Sequence, residues 1–110
     1  MNKLSALSAL AALGQDTRLE TFRLLVKAGA QGVPAGEIAS QLGAVQNTMS
    51  AHLKILTHAG LVRAERDGRS IRYAADLTGF RDLLAYLMED CCNGSPELCR
   101  PVIDAVICDC

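Results

Sequence analysis

An amphipathic stretch running straight into a hairpin signal limits what this chain can fold into more than any other feature. From Gln46 to Gly60 the spacing predicts a helix, with Met49, Leu53 and Leu56 on one face and Val45 just ahead of them. Asn47, Ser50, Ala51, Lys54 and His58 fall on the other face, which has short hydrogen-bonding groups, one cation and no large apolar side chain. Gly60 closes the helix, as a residue tolerant of positive φ should. Two β-capable runs follow, Leu61 to Arg66 and Arg69 to Ala74, joined at Asp67-Gly68, the strongest short-range signal for a hairpin. Ahead of the stretch, Ala35 to Leu42 reads as a short helix stopped by Gly43, then a three-residue turn into Gln46.

Taken alone, a helix face of Asn, Ser, His and Lys reads equally well as solvated surface. The neighbouring elements change that reading. Helix, turn, helix and arginine-tipped hairpin together make a winged helix-turn-helix, mainly α with a β-hairpin wing. In that arrangement the second helix lies in the DNA major groove and the first crosses the backbone. Arg63, Arg66, Arg69 and Arg72 suit a wing that touches phosphates or the minor groove. The net charge of −1 divides accordingly: residues 1–45 carry +1, residues 46–73 carry +3, and residues 74–110 carry −5. The positive charge sits where counterion release would use it, and the acidic third should face away from DNA.

The chain's 110 residues make one domain with a modest core. With 2 Phe, 2 Tyr and no Trp, that core must be Leu, Ile, Val and Ala, which favours helices. A first helix is expected over Leu4 to Leu13, ended at Gly14, with Leu4, Leu7 and Leu10 patterned for packing, including packing across a two-fold dimer. The same residues loosely imitate a signal peptide, but the apolar run is short and broken by two serines. A second helix is expected to start at a Thr17-x-x-Glu20 capping box, or at Asp16. It runs to Ala28 with Leu19, Phe22, Leu25 and Val26 inward. Asp76 caps a last helix whose apolar face, Leu77, Phe80, Leu83, Leu84, Leu87 and Met88, is wide enough to include a dimer interface. No run is long and apolar enough to span a membrane.

All 5 cysteines lie beyond residue 90, an odd number at one end, which suits cytosolic thiols better than a secreted disulfide scaffold. Adjacent Cys91 and Cys92 point about 100° apart within a regular helix, but a fraying end relaxes that geometry. Asn93-Gly94 and Ser95-Pro96 would turn the chain so that Cys99 folds back onto the pair. Three thiolates without histidine form a soft, sulfur-only pocket suited to trivalent arsenic or antimony. Zinc, with Cys108 or Cys110 as fourth ligand, is an alternative. So is a redox-sensing thiol, although Glu89, Asp90, Glu97 and the helix C-terminus oppose thiolate formation there. An inert pair is a third. No Cys-x-x-Cys stands in the chain and both histidines fall on the Gln46–Gly60 helix, so no enzyme is expected.

The run Ser50-x-His52-Leu53-Lys54-x-Leu56-x-x-Ala59-Gly60-Leu61-Val62, followed by Arg66-Asp67-Gly68-Arg69 and Tyr73, resembles the ArsR/SmtB family of metal-sensing repressors over about residues 5–92. The resemblance implies a homodimeric, cytoplasmic repressor of residues 1–92 that leaves an inverted-repeat operator when an inducer binds, with residues 93–110 as a cysteine-containing tail completing the sensor. It places Gln46, Asn47, Thr48, Ser50, His52 and, on the same face, Lys54 against double-stranded DNA, with Arg66 and Arg69 on the wing. No membrane and no protein partner beyond a second copy is implied. Founding members carry a Cys-x-Cys site on the helix before the recognition helix, where this chain has Glu37-Ile38-Ala39-Ser40-Gln41-Leu42. The zinc-type site on the last helix needs histidines, and Leu77 to Asp90 has none. The remaining pattern is similar to arsenite repressors with a cysteine pair and a third cysteine after the last helix, Cys91, Cys92 and Cys99 here. Relatives with the pair alone are linked to methylarsenite, so Cys99 favours inorganic arsenite as inducer. Cys108 and Cys110 form a second pair with no assigned role.

Overall fold

The computed structural model describes residues 1–89 and 96–106. Helix α1 (Lys3–Leu13) begins at Asn2, whose side chain accepts from the Ser5 amide, and ends at Gly14. Helix α2 (Asp16–Ala28) is capped by the Gln15 side chain, which accepts from the Arg18 amide. The expected Thr17 or Asp16 cap is therefore displaced by one or two residues: Asp16 sits in the first turn and Thr17 inside the helix. A short strand β1 (Val33–Pro34), which the local sequence does not announce, leads directly into helix α3 (Ala35–Leu42). Gly43, at φ 66°, turns the chain toward helix α4 (Gln46–His58). Strands β2 (Val62–Asp67) and β3 (Ser70–Ala75) form the wing, and Asp76 caps helix α5 (Leu77–Leu87) by accepting from the Gly79 amide. Where a tail was expected, residues Pro96–Val106 form a further helix, α6, that carries Cys99 in its backbone.

The core lies where α1, α2, α3 and α5 converge on α4. Met49, Leu53 and Leu56 are completely buried and join Phe22, Leu25 and Ile38 in one apolar cluster. Burying each such side chain contributes roughly 1.5–3 kcal/mol, a large share of a small domain's net stability. Phe22 and Phe80, ring centroids 5.2 Å apart, tie α2 to α5. Leu19 and Val26, expected inward, are exposed, as are Val45 ahead of α4 and, on the wide apolar face of α5, Leu77 and Leu87. Val45 precedes the first turn of α4 as its N-cap, with extended backbone, so helical spacing does not govern where it points.

Helix α1 divides more sharply. Its small stripe, Ala6, Ala9 and Ala12, is buried against the domain, while Leu4, Leu7 and Leu10 are 78%, 52% and 42% exposed. The two stripes are two residues apart, and hence on nearly opposite faces of the helix. Alanines allow close approach to α2, α4 and α5, and the leucines are left outside.

The sheet has the order β1-β3-β2, antiparallel throughout. Asp67 pairs with Ser70, so the hairpin loop is Gly68-Arg69, one residue later than the Asp67-Gly68 signal placed it. Two close approaches lock the sheet and α5 to the body. Gly32, at φ 74°, brings its backbone so near Tyr73 that a Cβ would meet the Tyr73 carbonyl oxygen at 2.8 Å. Gly79 in α5 lies directly over Gly60, where a Cβ would overlap the Gly60 carbonyl oxygen.

Gly79→Ala tests that corner. Helix propensity alone favours alanine by up to about 1 kcal/mol, but a carbonyl cannot rotate aside as a side chain can, and overpacking costs about 1–3 kcal/mol. The expected net result is a loss of about 1–2 kcal/mol in urea unfolding, with an unchanged m-value. Equal or higher stability would show that α5 does not seat on Gly60.

Candidate nucleic-acid interface

One side of α4 is fully committed to the core, so its other side is presented as a consequence of packing. Gln46, Asn47, Thr48, Ser50, Ala51, Lys54 and His58 are all exposed on it, as the sequence leads one to expect. At its N-terminus no side chain caps the first turn, since Val45 offers no acceptor. The amides of Gln46 and Asn47 therefore open toward whatever approaches, with the positive end of the helix dipole behind them. This is the end of a recognition helix that reaches base edges and phosphates in helix-turn-helix proteins.

His52 behaves differently from its neighbours. It is half-buried, and its Nδ1 lies 3.3 Å from the Arg18 guanidinium on α2. Arginine has no acceptor, so the ring nitrogen facing it must be the unprotonated one. Desolvation, and secondarily the Arg18 charge, hold the His52 pKa below its ordinary value. His52 thus stands beside Arg18 as a neutral ring. Arg18 was not singled out from the sequence, where it reads only as a first-turn residue of α2. Nothing local says that it faces a side chain 34 positions away.

The four wing arginines divide into two kinds. Arg72 donates from Nε to the Gln31 carbonyl (2.9 Å) and from Nη2 to the Gly32 carbonyl (3.0 Å), fastening the loop before β1 to β3. Arg63 pairs with Glu65 at 2.9 Å and donates to the Ala75 carbonyl. These two are internal fastenings. Arg66 and Arg69 are exposed and, among the described residues, take part in no ion pair or side-chain hydrogen bond. Arg69 occupies the second position of the loop and so stands at the tip, with Arg66 on β2 opposite Ile71. An unpaired guanidinium on a projecting hairpin suits the phosphate backbone or the narrow minor groove.

The proposed sensor lies elsewhere. Cys91, Cys92, Cys108 and Cys110 are outside the described residues, and of Cys99 only the helical backbone is described. Among the described residues no group of three or more His, Cys, Asp or Glu side chains comes together, and no helix is long and apolar enough to cross a membrane.

Residues 13–65 match a family described as a helix-turn-helix domain. Curated proteins give no sequence match. Among solved structures, the chain is similar to a possible transcriptional regulator for arsenical resistance, at 31% identity over 91% of this chain and 98% of that one, with a TM-score of 0.61. It is similar to the AntR antimony-specific transcriptional repressor at 29% identity, covering 72% and 70% of the two chains, with a TM-score of 0.57. A third is the homodimeric winged helix-turn-helix DNA-binding domain of Mb0332 from Mycobacterium bovis, a possible ArsR-family regulator. It is 27% identical over 80% of this chain and 82% of that one, with a TM-score of 0.62.

The two kinds of wing arginine should separate experimentally. Arg72→Ala should cost about 1–2 kcal/mol of stability, since two charge-assisted bonds to carbonyls are lost from a partly exposed site. Arg69→Ala should leave unfolding within about 0.5 kcal/mol of the parent and instead reduce duplex affinity, lowering the slope of log K against log salt by about one. A large stability loss in Arg69→Ala, or an unchanged salt slope, would contradict this division.

Proposed function

This chain belongs to the ArsR family of winged helix-turn-helix transcriptional regulators, and on that premise we propose that it is a homodimeric, cytoplasmic repressor released from its operator by trivalent arsenic. The fold and the family are those of transcriptional regulators. The observation that carries the finer reading is where the cysteines stand. The winged-helix body through Glu89 holds none, α3 reads Glu37-Ile38-Ala39-Ser40-Gln41-Leu42, and α5 has no histidine. Any thiol sensor must therefore be built beyond residue 90, from Cys91, Cys92 and Cys99, with Cys108 and Cys110 as further thiols.

That donor set fits trivalent arsenic. Sulfur-only coordination selects thiophilic ions, and three ligands match a pyramidal centre better than a tetrahedral one. Similarity to the arsenical-resistance regulator and to the antimony-specific repressor supports the same class of inducer, arsenite first and antimonite as its close analogue. Methylarsenite needs two thiolates and remains the second reading, because Cys91 and Cys92 alone would supply them.

Exposed leucines support the dimer: the stripe Leu4, Leu7 and Leu10 on α1, and Leu77 and Leu87 at the two ends of α5. The two helices pack on one another within the chain. The similar Mycobacterium bovis domain is a homodimer. A two-fold axis through α1 and α5 would set two copies of α4 side by side for successive half-sites of an inverted repeat. Because α5 leads directly to Cys91 and Cys92, gathering those thiols with Cys99 would bear on the helix that builds the interface. A coupling of roughly 1–3 kcal/mol between the two sites would reduce operator affinity several-fold to about a hundred-fold.

Binding to a duplex selected by the protein from random sequence should be lost on adding arsenite and retained on adding zinc. Cys99→Ser should abolish the response to arsenite, and Cys108→Ser/Cys110→Ser should keep it. A full arsenite response in Cys99→Ser would overturn the three-thiol assignment, and a parent protein that responds to methylarsenite but not to arsenite would establish the two-thiol reading. Separately, Leu7→Glu should shift sedimentation from dimer to monomer while preserving the helical circular-dichroism spectrum. A dimer that persists in Leu7→Glu/Leu10→Glu would place the interface elsewhere.

A further inference from the structure

The Arg18 side chain connects three elements at once. Its Nε donates to the Ala12 carbonyl at the end of α1 (2.7 Å), its own backbone amide is held by the Gln15 side chain (2.8 Å), and its Nη1 faces His52 Nδ1 on α4 (3.3 Å). Position 18 is half-buried, so this guanidinium does not stand out from the surface as those of Arg66 and Arg69 do. The far nitrogen of the ring, Nε2, makes no hydrogen bond with the described residues, and no buried polar atom is left without a partner. Nε2 is therefore open to solvent, on the flank of α4 that His52 shares with the exposed Thr48 one turn before it.

From this arrangement we propose that Arg18 is a positioning residue for operator recognition: anchored to the end of α1, it holds the His52 ring with Nδ1 as acceptor, so that Nε2–H is presented to DNA as a donor. The proposal deepens the repressor reading and rests on it. A neutral imidazole has one donor and one acceptor nitrogen, and which is which follows from the partner of the other. A donor facing outward suits the N7 or O6 of guanine, the N7 of adenine or a phosphate oxygen, whereas the opposite tautomer would present an acceptor to the same atoms and repel them. Arg18 reaches this effect without touching nucleic acid. The Ala12 anchor also makes the ring's placement depend on α1, the helix whose leucines are left outward, so a displacement of α1 is felt at the recognition helix through one side chain. The other described side-chain hydrogen bond from α2 to α4, Thr21 Oγ1 to Met49 Sδ, lies in the core.

The test uses Arg18→Met, His52→Ala and the double variant of the full chain, with the selected duplex. In the wild-type protein without DNA at pH 7.5, imidazole ¹⁵N spectra should show His52 Nδ1 unprotonated and Nε2 protonated. In Arg18→Met the same ring should become a mixture of tautomers. Operator affinity should fall about tenfold in Arg18→Met, the scale of one lost hydrogen bond, with the salt slope unchanged. Arg18→Met should add little in the His52→Ala background. Should Arg18→Met fail to fold, Arg18→Lys keeps the charge and reaches the carbonyl or the ring but not both, and should give the same spectrum with a smaller loss. A salt slope lowered by about one would make Arg18 a phosphate ligand, and fully additive losses would remove the link through His52; either overturns the proposal, as does an Nδ1-protonated ring in the parent. A parent that binds no duplex would instead overturn the DNA-binding reading, and the ring spectrum, which needs no DNA, tells the two failures apart.

Discussion

The burial of one face of α4 is the constraint from which the rest of the structure follows. Met49, Leu53 and Leu56 leave no accessible surface, so the helix has a single rotational setting about its axis. Rotating it by one residue, about 100°, would carry leucines into water and Ser50 or Lys54 into the core, at a cost of several kcal/mol. Asn47, Ser50 and Lys54 face outward because the alternatives are closed to them. The precision with which the outward face of α4 is aimed is thus a property of the core behind it.

The wing and α5 are aimed by different means. A two-stranded hairpin has too little apolar surface to hold its own angle, and here it is fastened at its base. Arg72 binds two carbonyls of the preceding loop, Gly32 admits β3 at close range, and Arg63 spans β2 and the end of β3. Beyond that base the strands project with Arg66 and Arg69 exposed and unpaired among the described residues. The contact of Gly79 with Gly60 then seats α5 on the corner between α4 and β2. A helix leading toward the cysteine segment therefore rests on the end of α4. The Arg18 link approaches α4 from the other direction, out of α1. Both α1 and α5 therefore bear on α4 through named contacts.

Sequence reasoning and structure part company where long-range contacts decide. The elements themselves were legible: α3 and α4 begin and end within two residues of their expected positions, because glycines at positive φ and an amphipathic period are local signals. The inward positions of α4 were legible for the same reason. Strand β1 was not, since two residues cannot show a period and its existence depends on Tyr73 and Arg72 arriving beside it. The helix over Pro96–Val106 was read as a turn at Ser95-Pro96 and a tail, although a proline in a first turn removes no helical bond. Leucine-rich α1 was read by its leucines, whereas the domain buries its alanines.

What the sequence determined by itself is the class of fold and the identity of the presenting face. Hydrophobic period, turn glycines and charge partition act over a few residues and need no knowledge of the rest of the chain. Tertiary structure alone decided which polar residues are free and which are spent. Of four wing arginines it commits Arg63 and Arg72 to the fold and leaves Arg66 and Arg69 exposed, without an ion pair or side-chain hydrogen bond among the described residues. It also turns Arg18 from an unremarked first-turn residue into the partner of His52. The physical reason is that a charged side chain's role depends on the acceptor within its reach. For Arg18 and Arg72 that acceptor lies 34 and about 40 residues away in the chain, brought near only by folding.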